Sequence, residues 1–338
     1  MVNEQKNISL RALNTFGIDV RCDRLVEFAD AADLRTVFAD GSVAAGRWAV
    51  ISGGSNIIFT DDFHGTLLRP IGQGIDVVAD GQTTVRVRVA AGVEWDRFVE
   101  WAVEQGLWGA ENLSYIPGLV GAAPVQNIGA YGVEAKDLIH SVEMYDVPSG
   151  KMVTLCGEHC GFGYRDSVFK RDLRGRVVIT AVDFVLTREA APRLGYGDLE
   201  AEVARRGGAT LRNIRDAVTA IRRSKLPEPD EMGNAGSFFK NPVVPDAVAQ
   251  TIRGQHPDMP SYPSGREGCT KLAAGWLIDQ CGWKGRALGR VGVHARQALV
   301  LVNLGGATGH EVIDLAHRIQ NDVEDKFGVQ IEMEVNVL

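Results

Sequence analysis

Cysteine is scarce, with five residues in 338. An odd, low count in so long a chain excludes a disulfide scaffold and points to reduced thiols in a cytosolic setting. No apolar run approaches the roughly 20 residues needed to cross a bilayer, so no membrane-spanning helix is expected. Met1 to Leu10 is polar and lacks an apolar h-region, so no secretory leader is expected either. Clustered basic residues are missing too. The 36 Lys and Arg are dispersed among 43 Asp and Glu, for a net charge of −7, which argues against a nucleic-acid surface. Cys156, His159 and Cys160 have the look of a zinc half-site, but no fourth ligand stands at a suitable spacing. They read as surface or core thiols, and no metal is expected. Small-molecule substrates remain open.

What is present is ordinary for a globular protein: 45% hydrophobic and 23% charged residues. At this length two or three domains are expected. Ala49–Ser52, Ile57–Phe59 and Thr66–Arg69 read as short strands, and Thr84–Ala90 alternates strictly, with Val85, Val87 and Val89 on one face. Helical spacing runs through Trp95, Phe98, Val99, Ala102 and Val103 until Gly106. Strands are expected again at Ser141–Val147 and Val177–Leu186, followed by an amphipathic helix over Thr210–Arg223 that Pro227 and Pro229 halt. Cys269–Cys281 reads as helical and Ala298–Asn303 as a strand. Thr308 and Glu311 have capping-box spacing ahead of a helix that Gly328 closes. Val329–Val337 reads as a last strand, with Glu332, Glu334 and Asn336 on its polar face.

Two glycine-rich segments interrupt this order. Gly53-Gly54-Ser55-Asn56 directly follows a strand, where glycines let backbone N–H groups approach a diphosphate. The spacing is not the Rossmann fingerprint, and alone the tetrapeptide also reads as a hairpin turn. Residues 106–140 form a long, poorly periodic stretch, which compact domains rarely carry without a ligand to serve. Its centre, Ile116 to Gly132, sets four glycines and two prolines among small apolar residues. It could lie along a pyrophosphate and pack on a flat ring whose polar edge Gln126 and Asn127 could meet. Composition equally allows a buried loop.

Three polar residues carry candidate chemistry. Arg165 sits in Gly161-Phe-Gly-Tyr-Arg-Asp-Ser-Val-Phe-Lys170 and suits a carboxylate, although alone it reads as a structural arginine paired with Asp166 or Glu158. Ser237, in Gly233-Asn-Ala-Gly-Ser-Phe-Phe-Lys-Asn-Pro242, is a poor acid near neutral pH and could give its proton only to a strong base made at the site. Alone it reads as a turn serine. Glu334 shares its strand face with Glu332 and Asn336, a pattern that also suits a solvated edge.

Taken together, residues 51–56, 115–132 and 233–242 resemble the UDP-N-acetylenolpyruvoylglucosamine reductase family, in its longer type with a tyrosine loop. Similar stretches at 14–19, 161–170, 195–199, 225–242, 273–283 and 294–303 extend the likeness over nearly the whole chain. The resemblance implies an α+β fold: a vanillyl-alcohol-oxidase-type (PCMH-type) FAD-binding domain in two subdomains, then an α+β substrate-binding domain. The corresponding division is 1–224 (core about 17–188), 225–328, and a terminal strand 329–338 carrying Glu334 back to the active site.

By the same resemblance FAD is bound non-covalently. Gly53, Gly54, Ser55 and Asn56 would hold its diphosphate. Pro117, Gly118, Gly121, Ala122, Gln126, Asn127, Gly129, Ala130, Tyr131 and Gly132 would line the rest. The implied reaction converts UDP-N-acetylglucosamine-enolpyruvate to UDP-N-acetylmuramate for bacterial peptidoglycan, with NADPH as co-substrate. Hydride goes from reduced flavin to C3 of the enolpyruvyl group and a proton from Ser237 to C2, with Arg165 and Glu334 assisting. Tyr196, Lys225, Asn241 and Gln297 would bind the substrate, and Lys240 is either a further contact or a solvated lysine. A cytoplasmic monomer is expected. Two other readings stay open. One is a flavin oxidase, which would carry a base in place of Ser237; the other is a non-catalytic nucleotide-sugar or flavin-binding protein.

Overall fold

The computed structural model describes residues 2–338, which divide into two compact units. The first comprises residues 2–8, 22–53 and 64–224; the second comprises 9–21, 54–63 and 225–338. The first unit's last segment ends at residue 224, just before Pro227 and Pro229. The second unit also takes in two early segments, which a division by sequence order leaves with the first.

In the first unit, Asn3–Ser9, Arg21–Phe28, Phe63–Pro70 and Trp48–Val50 form a four-stranded sheet in that order. The helix Ala31–Phe38 starts where Asp30 accepts hydrogen bonds from the N–H groups of Ala32 and Asp33. It buries Leu34, Val37 and Phe38 with Val26, Phe28 and Leu68. A five-stranded antiparallel sheet runs Lys151–Cys156, Ile139–Asp146, Val177–Thr187, Thr84–Ala90, Ile75–Asp80. Val85, Val87 and Val89 are buried as their alternation predicts, in the same core as helix Trp95–Glu104. Phe98 stacks on Phe184 at 4.6 Å, and Trp95 meets both rings edge-on. A third core gathers Trp108 with helices Leu199–Arg205 and Leu211–Lys225.

Glu111 lies inside this unit, 2% exposed, accepting the Gly109 N–H at 2.6 Å. Burial pushes its carboxyl pKa up, partly offset by backbone hydrogen bonds and by Arg193. A raised folded-state pKa gives stability that is fully present below the unfolded pKa and lost as pH rises through the folded one. Glu111→Gln should therefore melt higher than the parent at neutral pH, the gap closing as pH falls below the ordinary carboxyl value. Melting curves across that window check this, and a gap that widens toward acid would contradict it.

In the second unit, Gly233–Ser237, Val300–Asn303, Val291–Val293 and Ala287–Leu288 form an antiparallel sheet. Against it packs the helix Gly309–Phe327, which buries Val312, Leu315, Ala316, Ile319 and Val323. The capping box at Thr308 and Glu311 is formed, and Gly328 ends the helix in the left-handed region at φ 64°. Val243–Pro245, Cys269–Leu272 and Ser261–Pro263 make a smaller sheet.

Two expectations are corrected here. Residues 269–281 are not one helix: Cys269–Leu272 is a central strand paired on both sides, and the helix is Ala274–Gln280. The last segment is not one continuous strand. Val329 and Ile331 are buried, but so are the adjacent Glu334 and Val335, while Val337 is 43% exposed. The alternation breaks because the chain changes partners. The Glu334 N–H bonds to the Phe238 carbonyl, whereas Asn336 pairs in parallel with Ile57.

Candidate active site

In the first unit the strand end that leads into Gly53 comes against the loop at 118–119. Trp48–Val50 pairs in parallel with Thr66–Leu68 and delivers the chain to Ser52, whose Oγ accepts the Leu119 N–H at 2.7 Å. A Cβ on Gly53 would lie 3.3 Å from Gly118 Cα, so the two backbones pass at a distance that a larger residue would crowd. The segment behind is tied down by the N–H groups of Trp95, Val120 and Gly121, bonded to the carbonyls of Gly118, Val93 and Ala91. Gly129–Ala130 and Val133–Glu134 form a hairpin whose turn, Tyr131-Gly132, has φ 48° and 80°.

Among the described residues, five that are not glycine have positive φ, and four of them, Tyr115, Asn127, Tyr131 and Arg165, belong to these motifs. Conformations of that kind cost about 1–3 kcal/mol each and gather at functional sites. Asn127 shows how one is held. Its Oδ1 accepts the Lys136 N–H at 2.9 Å, and its Nδ2 donates to the Gly163 carbonyl at 2.9 Å and to Glu134 at 3.1 Å. The side chain expected at a ring edge thus also holds the shape of the loop. Arg165 donates to the Gly129 carbonyl at 2.8 Å and lies against the Tyr164 ring, while Asp166 pairs with Arg171.

Arg222 was not among the expected residues. Its Nε donates to the Tyr115 carbonyl at 2.9 Å. Burial, and then the charge of Arg165, hold its guanidinium pKa below the ordinary arginine value, against the opposing pull of Tyr131, Asp96 and Tyr115. Two cations within electrostatic reach of each other favour an anion between them. The one signal in the sequence was the doubled Arg222-Arg223 at the end of an amphipathic helix, a pattern that solvated arginines also give. Tyr131 and Tyr196 meet edge-on at 5.9 Å, and burial raises the Tyr131 phenol pKa.

In the second unit, Ser237 ends a strand with a register break between Asn234 and Ser237. Gly236 makes the break at φ 66°, its N–H bonded to Asn234 Oδ1 at 2.9 Å. The irregularity leaves Ser237 exposed while Phe238 and Phe239 are buried beside it. Phe238 donates to the Leu299 carbonyl at 2.7 Å and accepts the Glu334 N–H at 2.8 Å, so Ser237 and Glu334 lie on adjoining backbones. Asn56 Nδ2 donates to the Glu334 carbonyl at 3.3 Å, and the Asn336 N–H donates to the Asn56 carbonyl at 3.0 Å. Asn56, expected at the cofactor, thus also anchors the segment that carries Glu334.

The two candidate glutamates differ sharply. Glu332 is exposed and pairs with Lys240 at 2.9 Å; Glu334 is 8% exposed. Asn241 Oδ1 accepts the Ala274 N–H at 2.9 Å, Gln297 Oε1 accepts the Leu299 N–H at 3.3 Å, and Lys225 is exposed. Ser55, Pro117, Ala122, Gln126 and Gly132 lie half-buried or exposed, as contact with a ligand requires. Among the described residues there is no group of three or more His, Cys, Asp or Glu that could hold a metal ion. Cys160 is buried, with its thiol pKa pushed up to about 12, and Cys156 is exposed.

Residues 22–156 match the family described as "FAD binding domain", and residues 228–338 match "UDP-N-acetylenolpyruvoylglucosamine reductase, C-terminal domain". The chain is 50% identical over 330 residues to the UDP-N-acetylenolpyruvoylglucosamine reductase of Burkholderia mallei (strain NCTC 10229), covering 96% of this chain and 95% of the relative. It is 50% identical over 329 residues to that of Burkholderia vietnamiensis (strain G4 / LMG 22486), covering 96% and 94%. The crystal structure of the Thermus caldophilus UDP-N-acetylenolpyruvylglucosamine reductase superposes with a TM-score of 0.69 at 23% identity, over 100% of this chain and 98% of that one, and so has the same α+β fold. With half its residues shared across nearly the full length of these relatives, the chain belongs to the UDP-N-acetylenolpyruvoylglucosamine reductase family.

Proposed function

We propose that this chain reduces the enolpyruvyl ether of UDP-N-acetylglucosamine-enolpyruvate to UDP-N-acetylmuramate in peptidoglycan synthesis, using NADPH and non-covalently held FAD. Family membership and the FAD-binding match make it an FAD-dependent oxidoreductase. The observation that carries the chemistry is the exposed Ser237 hydroxyl on a broken strand end, beside the backbone that brings in the buried Glu334. The residues fit a dinucleotide. The Gly53–Gly118 approach leaves no room for a Cβ at full contact distance, and a Cβ on Gly129 would lie 3.0 Å from Arg165 Nη1.

FAD, when bound, supplies hydride transfer, accepting hydride from NADPH and giving it to C3 of the enolpyruvyl group. Every other task falls to side chains and backbone. The glycines at 53–54 admit a diphosphate to backbone N–H groups, with Ser55 and Asn56 beside them. Arg165 holds the substrate carboxylate through charge-assisted hydrogen bonds. Negative charge left at C2 is basic enough to take the Ser237 proton, and Glu334 steadies that centre while it develops. Lys225, Asn241, Gln297 and Tyr196 serve the uridine diphosphate. A monomer in the bacterial cytoplasm completes the reading. Its support is five free cysteines, and among the described residues no helix is long and apolar enough to cross a membrane.

The purified protein should be yellow and release FAD on denaturation. NADPH should bleach the flavin absorbance, and the enolpyruvyl substrate, added without oxygen, should restore it. A flavin that stays with the precipitated chain counts against non-covalent binding. A bleached flavin restored by oxygen but not by substrate would instead favour an oxidase.

A further inference from the structure

Asn112 lies in the single turn Glu111–Leu113 and is 0% exposed. Its Nδ2 donates to the main-chain oxygens of Tyr131 at 2.8 Å and Arg193 at 2.7 Å. Two carbonyl acceptors fix the orientation of the amide, since only its NH₂ can serve both. Its Oδ1 accepts no hydrogen bond among the described residues. A buried acceptor without a donor is costly, so packing alone would favour an apolar side chain of this size. What the amide supplies is the double donor.

The two carbonyls it joins belong to the stems of the two tyrosines. Tyr131 opens its hairpin turn at φ 48°. Arg193 begins the stem of Tyr196, whose N–H bonds to the Leu194 carbonyl at 2.9 Å, and the Arg193 side chain is tied to Asp137 at 3.1 Å. Beyond this stem the loop is open to solvent. Tyr196 is 43% exposed, a Cβ added at Gly195 or Gly197 would meet nothing within 4 Å, and Gly197 sits at φ 57°. A fixed stem under an open tip lets an aromatic ring move yet return to one place.

We propose that Asn112 is a positioning residue for capture of the UDP-linked substrate. It fixes the Tyr131 platform and the stem of the Tyr196 loop at one registered distance. The inference rests on the reading above that Tyr196 contacts that substrate. On this reading the loop serves the UDP-linked substrate and not NADPH, so the two substrates should respond differently.

The test uses the flavin-loaded full chain and four variants: Asn112→Asp, Asp137→Ala, Tyr196→Ala and the Asn112→Asp/Tyr196→Ala double. Asn112→Asp keeps the shape and removes both donors when ionised, or leaves a single O–H when protonated. It should raise KM for the UDP substrate about tenfold, the worth of a hydrogen bond or two. The rate of flavin reduction by NADPH should stay within about twofold of the parent. Asp137→Ala frees the same stem from the surface and should give a smaller rise on the same side. Should Asn112→Asp fail to fold, Asp137→Ala decides the comparison. In the Tyr196→Ala background Asn112→Asp should add nothing, because the loop it steadies no longer carries its ring. A rise in both KM values together with a lower melting temperature would show a merely structural amide. Additive effects in the double variant would also overturn the proposal. If Tyr196→Ala leaves KM for the UDP substrate unchanged, the reading of Tyr196 falls and this proposal with it. If Tyr196→Ala raises it and neither stem variant does, only the Asn112 link falls.

Discussion

Ser237→Ala should leave reduction of the flavin by NADPH nearly intact and slow reoxidation by the enolpyruvyl substrate by about 10²–10⁴-fold or more, the range for loss of a general acid. The first half-reaction needs no acid, so a proton donor to C2 is missed only in the second. Folding should be indifferent. Ser237 is exposed, and its neighbours' hydrogen bonds to Leu299 and Glu334 use backbone atoms that alanine keeps. Its stability change should lie within about 0.5 kcal/mol of the parent, as for other surface substitutions. Ser237→Cys should recover part of the rate, since a thiol can also give up a proton. Rapid-mixing absorbance of each half-reaction separates the cases. Equal losses in both, with loss of FAD or of thermal stability, would mean that the serine is structural.

The adjacent glycines 53 and 54 should respond to the same substitution in opposite ways. Gly54 is buried at φ 64°, and a Cβ there would fall on the Leu13 carbonyl oxygen and lie 2.6 Å from Asn14 Cα. Relief would have to come from backbone, because Asn14 is pinned by its side chain to Leu10 and Ile18 at both ends. Gly54→Ala should therefore cost roughly 4 kcal/mol or more, in the range reserved for strain and overpacking. That corresponds to a melting temperature lower by about 10 °C or more. Gly53 is exposed, has no positive φ, and would bring its Cβ only to 3.3 Å from Gly118 Cα. Gly53→Ala should keep most of the stability and lose FAD more readily, since its added atom meets the surface offered to the diphosphate. Melting curves and flavin content measured on both proteins decide this. Equal destabilisation by the two would remove the distinction between a glycine for the fold and a glycine for the ligand.

Much of this was legible in the sequence where physics acts over a few residues. Val85, Val87 and Val89 gave a strand because alternation has only one geometric meaning. Thr308 and Glu311 gave a helix start because the capping box is a local bond pair. Residues 269–281 misled because Cys269-Thr-Lys-Leu272 is too short to show a period of its own, and the strands that pair with it on both sides lie elsewhere in the sequence. The burial of Glu334 was invisible for a related reason. Its partners, Phe238 and Asn56, lie about 100 and 280 positions away, and no local pattern reports a change of partner between them. Arg222 and Asn112 escaped because their meaning lies in the carbonyls they reach, at Tyr115, Tyr131 and Arg193. Those contacts are tertiary facts carried by unremarkable residues.

The pairing of Asn336–Val337 with Ile57–Ile58 also sets an order of events during synthesis. Chains fold from the N-terminus as they are made, and domains generally fold as units. The first unit has all its residues once position 224 has emerged. The second holds residues 9–21 and 54–63 from the start of synthesis, yet lacks the rest of its residues until more than 160 further ones have been added. The entropy of closing so long a loop rises only slowly with length, but contacts this distant form late and slow the folding rate. Ile57 and Ile58 thus lack their strand partner until residue 337 has been made, and an apolar pair left without it for so long is open to aggregation.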